Sequence, residues 1–256
     1  MPSFDKPRLR QIWRRLAAVP AAASDADTQA EAAQERLDFV AMLAGLKPAY
    51  LLGRGYDDPT WREAVLNLAR DLGLHVVIGP FWQAIGTEGT WPDWYAAHVR
   101  AETTGLSAWY ICRARAVAAE LQGLAATGRP TVAQEARLLG YPECCVRAHY
   151  ERARIFHELW LAMLDRAAGG DVAAMQQILR AGTWIEPATD AERETMAAAL
   201  DMAPAPFTSV NMCAACAADP DGPARRLSAK YRALLTSLDP LAAAAAEPPP
   251  RALPRR

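Results

Sequence analysis

The chain has 256 residues, a length that fits one large domain or two small ones. With 28 Lys+Arg against 29 Asp+Glu and 52% apolar residues it can bury a core, but it lacks the net basic surface of a general nucleic-acid binder. No apolar run approaches the ~18 residues of a membrane-spanning helix, and five cysteines are too few, and odd in number, for a disulfide framework. The expectation is a soluble, cytoplasmic protein with no nucleic-acid partner and five thiols to explain.

The start, Met1–Pro7, has no apolar signal region. Arg8, Arg10, Arg14 and Arg15 alternate with Leu9, Ile12, Trp13 and Leu16 as in a short basic amphipathic helix, read as an arm packing its Trp13 face on the body. Residues 19–30 read as a linker. Apolar residues at helical spacing continue from Glu31 to Leu46. Ala49–Gly53 is a short buried strand, Asp58-Pro59 opens a helix to Leu72, and Leu74–Gly79 is a second strand. A strand–helix–strand unit of this length predicts a right-handed crossover between parallel strands. A Trp-rich stretch (Trp82, Trp91, Trp94) precedes a third strand, Ser107–Cys112, and the helix Arg113–Leu124. Helix signals then cover Thr131–Leu139, Pro142–Ala168, Asp171–Arg180, Asp190–Leu200 and Ala224–Leu238, with Thr208–Met212 as the one later strand candidate.

The fold class that follows is α-rich α/β: a small parallel three-stranded sheet covered by helices, then a helical region carrying the cysteine motifs. Residues 1–30 form an arm and linker, and 31–239 a single α/β domain with a sheet half (31–126) and a cysteine-bearing helical half (127–239). Residues 240–256 form a disordered Ala/Pro tail.

Four cysteines fall in two tight pairs. Cys144 and Cys145 follow Gly140-Tyr141-Pro142-Glu143 at a helix start, where unsatisfied N–H groups are expected to lower thiol pKa values. Cys213-Ala214-Ala215-Cys216 is a C-x-x-C, the spacing that brings two sulfurs to one metal or redox centre. Cys112 ends the third strand, at the carboxyl edge where open parallel sheets bind ligands. His149 lies four residues after Cys145 on the same helix face, placed to ligate or donate a proton. His75, His98 and His157 read as structural. Gly53-Arg54-Gly55 lacks the third glycine of a dinucleotide fingerprint, and no H-E-x-x-H or G-x-S-x-G supports a hydrolase. Arg54, Arg113, Arg115 and Arg147 could line a sheet edge and hold an anion, though solvated arginines are the commoner case. Trp82, Trp91, Trp94 and Trp109 read as packing rather than as a platform for bases.

The order Cys-x₃₁-Cys-Cys followed by Cys-x₂-Cys looks like that of the cysteine-rich domains of heterodisulfide reductases, although Val146 stands where those carry Gly. Over residues 100–235 the chain also resembles a prokaryotic family, known mainly from archaea, catalogued as a domain of unknown function. Ala136–Val146, with its Leu-Gly-Tyr-Pro-x-Cys-Cys, carries the likeness. The later Cys213-x-x-Cys216, leading to a helix with Ser228 and Tyr231, and the strand Trp109–Cys112 support it. The resemblance implies that Cys144, Cys145, Cys213 and Cys216 share one site. It supplies no reaction, and the family's His and Pro before C-x-x-C are replaced here within Val210-Asn211-Met212.

The functional expectation is a cysteine-ligated metal-binding protein, first an iron–sulfur protein holding a 4Fe–4S cluster with a redox or sulfur-transfer role. Cys144, Cys145, Cys213 and Cys216 are its ligands, Cys112 a further candidate, and Cys145 and His149 the reactive thiol and proton donor of an oxidoreductase or sulfur transferase. The partner would be a small molecule or a redox protein. The alternatives are a zinc Cys₄ site in a binding or scaffold module, and a metal-free thiol–disulfide switch.

Overall fold

The computed structural model describes residues 4–19, 26–52, 58–80, 91–103, 107–127, 130–200 and 203–246. Helix α1 (Lys6–Ala17) is capped by Asp5, whose carboxylate accepts from the Arg8 amide. Helix α2 (Ala26–Leu43) starts inside the segment expected to be a linker. Strand β1 (Ala49–Leu52) leads to α3 (Pro59–Asp71), where Asp58 caps the Trp61 amide and Pro59 opens the first turn as expected. Then come β2 (His75–Pro80), α4 (Asp93–Thr103), β3 (Ser107–Cys112), α5 (Arg115–Thr127) and α6 (Val132–Leu139), the last with a reciprocal Thr131–Gln134 capping box. Helix α7 (Glu143–Ala168) carries the adjacent cysteines, and α8 (Val172–Arg180) and α9 (Asp190–Leu200) follow. The chain closes with β4 (Ala203–Pro204), β5 (Asn211–Met212), α10 (Ala214–Ala218), α11 (Pro223–Leu238) and α12 (Pro240–Ala245). The start of the expected tail is therefore helix, capped by Asp239 on the Ala242 amide, with Ala243 buried. Gly53-Arg54-Gly55 and Trp82 lie outside the described residues.

The α-rich α/β class holds, but the sheet is antiparallel rather than parallel. Its order is β1-β3-β2, with β3 antiparallel to both neighbours. The expected crossover β1–α3–β2 does run its two strands the same way, yet β3 is inserted between them. Pro80 at the end of β2 pairs with Ser107 at the start of β3, so the chain re-enters where it left and must run back. The misreading has a physical cause: strands apolar on both faces are the usual mark of a parallel sheet. Here they are apolar because helices cover both faces of an antiparallel one. Ala108, Tyr110 and Cys112 of β3 meet Ala118, Leu121 and Leu124 of α5 and Leu138 and Leu139 of α6. The alternate residue Ile111, with Tyr50 and Leu52 of β1, faces a core built from α1, α2, α3 and α11. At the edge, β2 leaves Ile78 62% exposed.

The chain divides into two compact units that do not follow the expected boundary between a sheet half and a helical half. The first comprises Met1–Gln83, Thr103–Val146 and Ala203–Arg256; the second comprises Ala84–Glu102 and Arg147–Met202. The first unit contains the sheet and all five cysteines. In it α1 buries Leu9, Ile12, Trp13 and Leu16, as its amphipathic pattern predicts, and Trp13 Nε1 donates to Asp239 at 3.1 Å. The second has its own core, in which Trp91, Tyr95, Leu164 and Met175 are buried.

Candidate metal centre

Two chain segments of the first unit bring the paired thiols together. Helix α6 ends at Gly140 in the left-handed conformation (φ 72°), and Pro142 then begins the turn into α7. This places Cys144 and Cys145 in the first turn of α7. The second segment runs from the β4–β5 ribbon into α10, with Cys213 at the N-cap and Cys216 in the following turn.

All four sulfurs lie within 4.8 Å of one another. Cys144 Sγ stands 3.6 Å from Cys216 Sγ and 4.0 Å from Cys145 Sγ. Cys145, Cys213 and Cys216 are buried, while Cys144 is exposed. The backbone also serves the sulfurs: the Cys213 amide donates to Cys145 Sγ (3.5 Å) and the Cys216 amide to Cys213 Sγ (3.4 Å). Such N–H···S bonds offset the charge that thiolates carry when they bind a metal.

The expected lowering of the Cys144 and Cys145 pKa values by the helix start is not what the site produces. Although Cys144 is exposed as a whole, desolvation of its sulfur by the surrounding protein pushes the thiol up to about 11, reinforced by its sulfur neighbours Cys216 and Cys213. Burial raises Cys145 further, against the opposing Cys213 amide. The lowered thiol is Cys213: burial disfavours its thiolate, but the Cys216 amide and the thiols of Cys216, Cys144 and Cys145 together outweigh it.

The two segments are joined by a polar network absent from the sequence-based expectations, buried at Asp38 and Lys47 and exposed at Ser209. Tyr141, three residues before Cys144, shares a 2.7 Å hydrogen bond with Ser209, four residues before Cys213. Ser209 in turn donates to Asp38 of α2 at 2.6 Å. Asp38 pairs at 3.6 Å with Lys47, whose ammonium lies 4.8 Å from the Tyr141 ring centroid. Burial works against the Lys47 charge, but Asp38 and then Tyr141 outweigh it and raise the pKa. The β4–β5 loop is pinned further: Gln34 Nε2 donates to Phe207 O at 3.1 Å, and Ser228 of α11 donates to Pro206 O. Phe207 takes a positive φ of 64°, which a bulky residue adopts only where its surroundings enforce it. Ser228 and Tyr231, noted beside the cysteine motif, thus find places here, since Tyr231 is buried and burial, then Asp38, raises its pKa. The available signals were faint. Asp38 interrupts the otherwise apolar run Leu37–Leu43, and Lys47 sits between Leu46 and Pro48 ahead of a buried strand.

Neither Cys112 nor His149 is among the four clustered ligand residues. Cys112 stands outside the four-sulfur group; it is fully buried in the sheet core, with its Sγ 3.7 Å from Ala114 O and its pKa raised by burial to about 11. The argument from a parallel sheet's carboxyl edge falls with the antiparallel topology: Cys112 pairs with Ala49 and His75, the first residues of β1 and β2. His149 belongs to the second unit, where burial and then Arg152 lower its pKa. Arg113 donates to Leu43 O at 2.8 Å and lies over the Phe4 ring, a packing role. Trp91 is in the core of the second unit, Trp94 packs against that core, and Trp109 packs against the core of the first beneath Arg62.

Fold and site together define an α-rich α/β protein with a four-cysteine cluster able to hold a metal. Compared with known proteins, the chain matches no family model, no curated protein and no solved structure. No helix among the described residues is long and apolar enough to cross a membrane.

Proposed function

We propose that Cys144, Cys145, Cys213 and Cys216 bind one zinc ion, and that this ion clamps the start of α7 to the β5–α10 segment in a binding or scaffold module. The observation that carries the reading is the compactness of the sulfurs, all within 4.8 Å. A tetrahedron of ~2.3 Å zinc–sulfur bonds has edges of ~3.8 Å, close to the 3.6 and 4.0 Å separations. Four protein thiolates close the shell and leave no position for substrate, the pattern of a structural rather than a catalytic ion. A four-iron cluster instead gives each thiolate a different iron and holds the sulfurs apart by its own body. Compactness therefore favours zinc over the iron–sulfur cluster that the cysteine order suggests. Membership of the archaeal family with the Leu-Gly-Tyr-Pro-x-Cys-Cys motif is part of the same proposal.

The test is anaerobic purification followed by metal and sulfide analysis and a visible spectrum. The expected result is a colourless protein with one zinc per chain, lost when Cys213 and Cys216 are both changed to Ser. Brown protein with iron and acid-labile sulfide overturns the proposal in favour of a cluster and its redox or sulfur-transfer chemistry. Metal-free protein whose thiol count changes with redox state overturns it in favour of a thiol–disulfide switch.

A further inference from the structure

The second unit contains a cavity of about 220 Å³ that the metal centre does not explain. Its walls come from α4, α7 and the turn after α8. That turn is a Schellman motif: the Gly182 amide bonds Leu179 O (2.9 Å) and the Thr183 amide bonds Ile178 O (3.2 Å). Gly182 takes φ 61°, and no atom crowds its missing Cβ, so glycine is needed for the backbone angle and not for space. The turn sends Thr183 and Trp184 back to the cavity. There Trp184 stacks on Trp160 of α7 (centroids 5.0 Å apart, planes 29°), and the Trp160 plane is parallel to that of Phe156 within 4°, with centroids 6.4 Å apart. Trp184 nevertheless remains 52% exposed, a large ring held in place with much of its surface in water.

Polar groups in the wall are few. Tyr95 and His157 share a 2.8 Å hydrogen bond, and burial lowers the His157 pKa, which favours its neutral form. His98 and Thr183 complete the polar positions, and among the described residues no Asp, Glu, Lys or Arg lines the cavity. Stacked rings, a few hydrogen-bonding groups and no charge define the ligand chemistry. Among the described residues of the wall, a carboxylate or phosphate would find no cation, and a metal or organic cation no carboxylate. The volume suits one or two fused rings and is too small for a peptide or a dinucleotide.

We infer that the cavity between Tyr95, His157, Trp160 and Trp184 binds a neutral planar heteroaromatic molecule of nucleobase size, seated against the tryptophan rings and oriented by the imidazoles. The site lies within one unit and is independent of the metal proposal.

Titration of the full-length protein with adenine, guanine, cytosine and uracil, followed by calorimetry and by saturation-transfer NMR, tests it. At least one base is expected to bind saturably, with its ring protons receiving saturation from the protein. Trp184→Ala should weaken binding about tenfold or more, and Trp184→Phe, which keeps a ring, should weaken it less. Circular dichroism checks that both variants fold, and the exposure of Trp184 makes the change tolerable. Absence of saturable binding for all four bases overturns the inference, as does binding that Trp184→Ala leaves unchanged. Tighter binding of tetramethylammonium than of any base also overturns it, by showing a cation cage instead.

Discussion

Lys47 and Asp38 place opposite charges where water scarcely reaches, with side chains 1% and 6% exposed. Such a pair adds little over an apolar one, but removing one partner leaves the other charge buried. Lys47→Met should therefore destabilise the protein by about 3–5 kcal/mol, and Lys47→Met with Asp38→Asn by less, because no uncompensated charge remains. Thermal melts check this; for a chain of this size the single variant should lose roughly 6–20 °C. The pair also sits under both thiol-bearing segments through Tyr141 and Ser209. Tyr141→Phe keeps the ring over Lys47 while removing the link to Ser209. It should weaken retention of the proposed zinc against a competing chelator with only a small change in melting temperature, a split that separates alignment of the thiols from general packing.

Among the elements, the turn from α6 to α7 is the most constrained. Gly140 needs φ 72°, and a Cβ there would lie 2.6 Å from Lys47 Cβ. Gly73 has a similar φ of 66° but nothing within 4 Å of a Cβ. Gly73→Ala should therefore carry only the dihedral strain, about 1 kcal/mol, and Gly140→Ala that strain plus a displacement of Lys47, about 2–4 kcal/mol in all. Paired denaturant titrations measure the difference. These elements were largely legible in the sequence because their signals are local: Asp58-Pro59, Thr131 with Gln134, and Gly140 each mark a boundary through chemistry within a few residues. Strand direction was not legible, because apolar runs such as Ala49–Leu52 and Ser107–Cys112 read alike whichever way their partners run. The pairing of Cys144 and Cys145 with Cys213 and Cys216 was suggested by their fall into two tight pairs and implied by the family resemblance. The polar network beneath them was not, since nothing local links Asp38, Lys47, Tyr141 and Ser209, which come together only through tertiary packing.

For the whole molecule, the two units should respond to different conditions. Chelation of the proposed zinc should lower protection against hydrogen exchange in the first unit, foremost at the start of α7 and in α10, and leave α8 and α9 unchanged. Acid should act on the second unit through His157 and His149, both held below the ordinary imidazole value of 6.5 by burial, with Arg152 adding to the shift of His149. Above that value neither folded nor unfolded imidazoles bind many protons, so their contribution to stability is flat. As pH falls through it, the unfolded chain takes up protons that the folded unit resists, and stability declines until the lower folded pKa values are passed. Exchange or near-ultraviolet circular dichroism between about pH 7.5 and 5 follows this, and His157→Gln should remove part of the decline, leaving the share due to His149.

The first unit is made of three separated stretches of chain, and this orders its assembly in time. The apolar face of α1, with Leu9, Ile12, Trp13 and Leu16, belongs to the same core as Tyr231, Leu235 and Leu238 of α11, and Arg10 and Trp13 bond Ser237 and Asp239. During synthesis at about 5–20 residues per second, that face waits tens of seconds for α11 to leave the ribosome. The second unit, contained between residues 84 and 202, is complete before then. Helix α1, translated well before α11, is among the last of these elements to find all its neighbours, and in the interval the nascent chain presents a tryptophan-bearing, basic amphipathic surface of the kind that holdase chaperones engage.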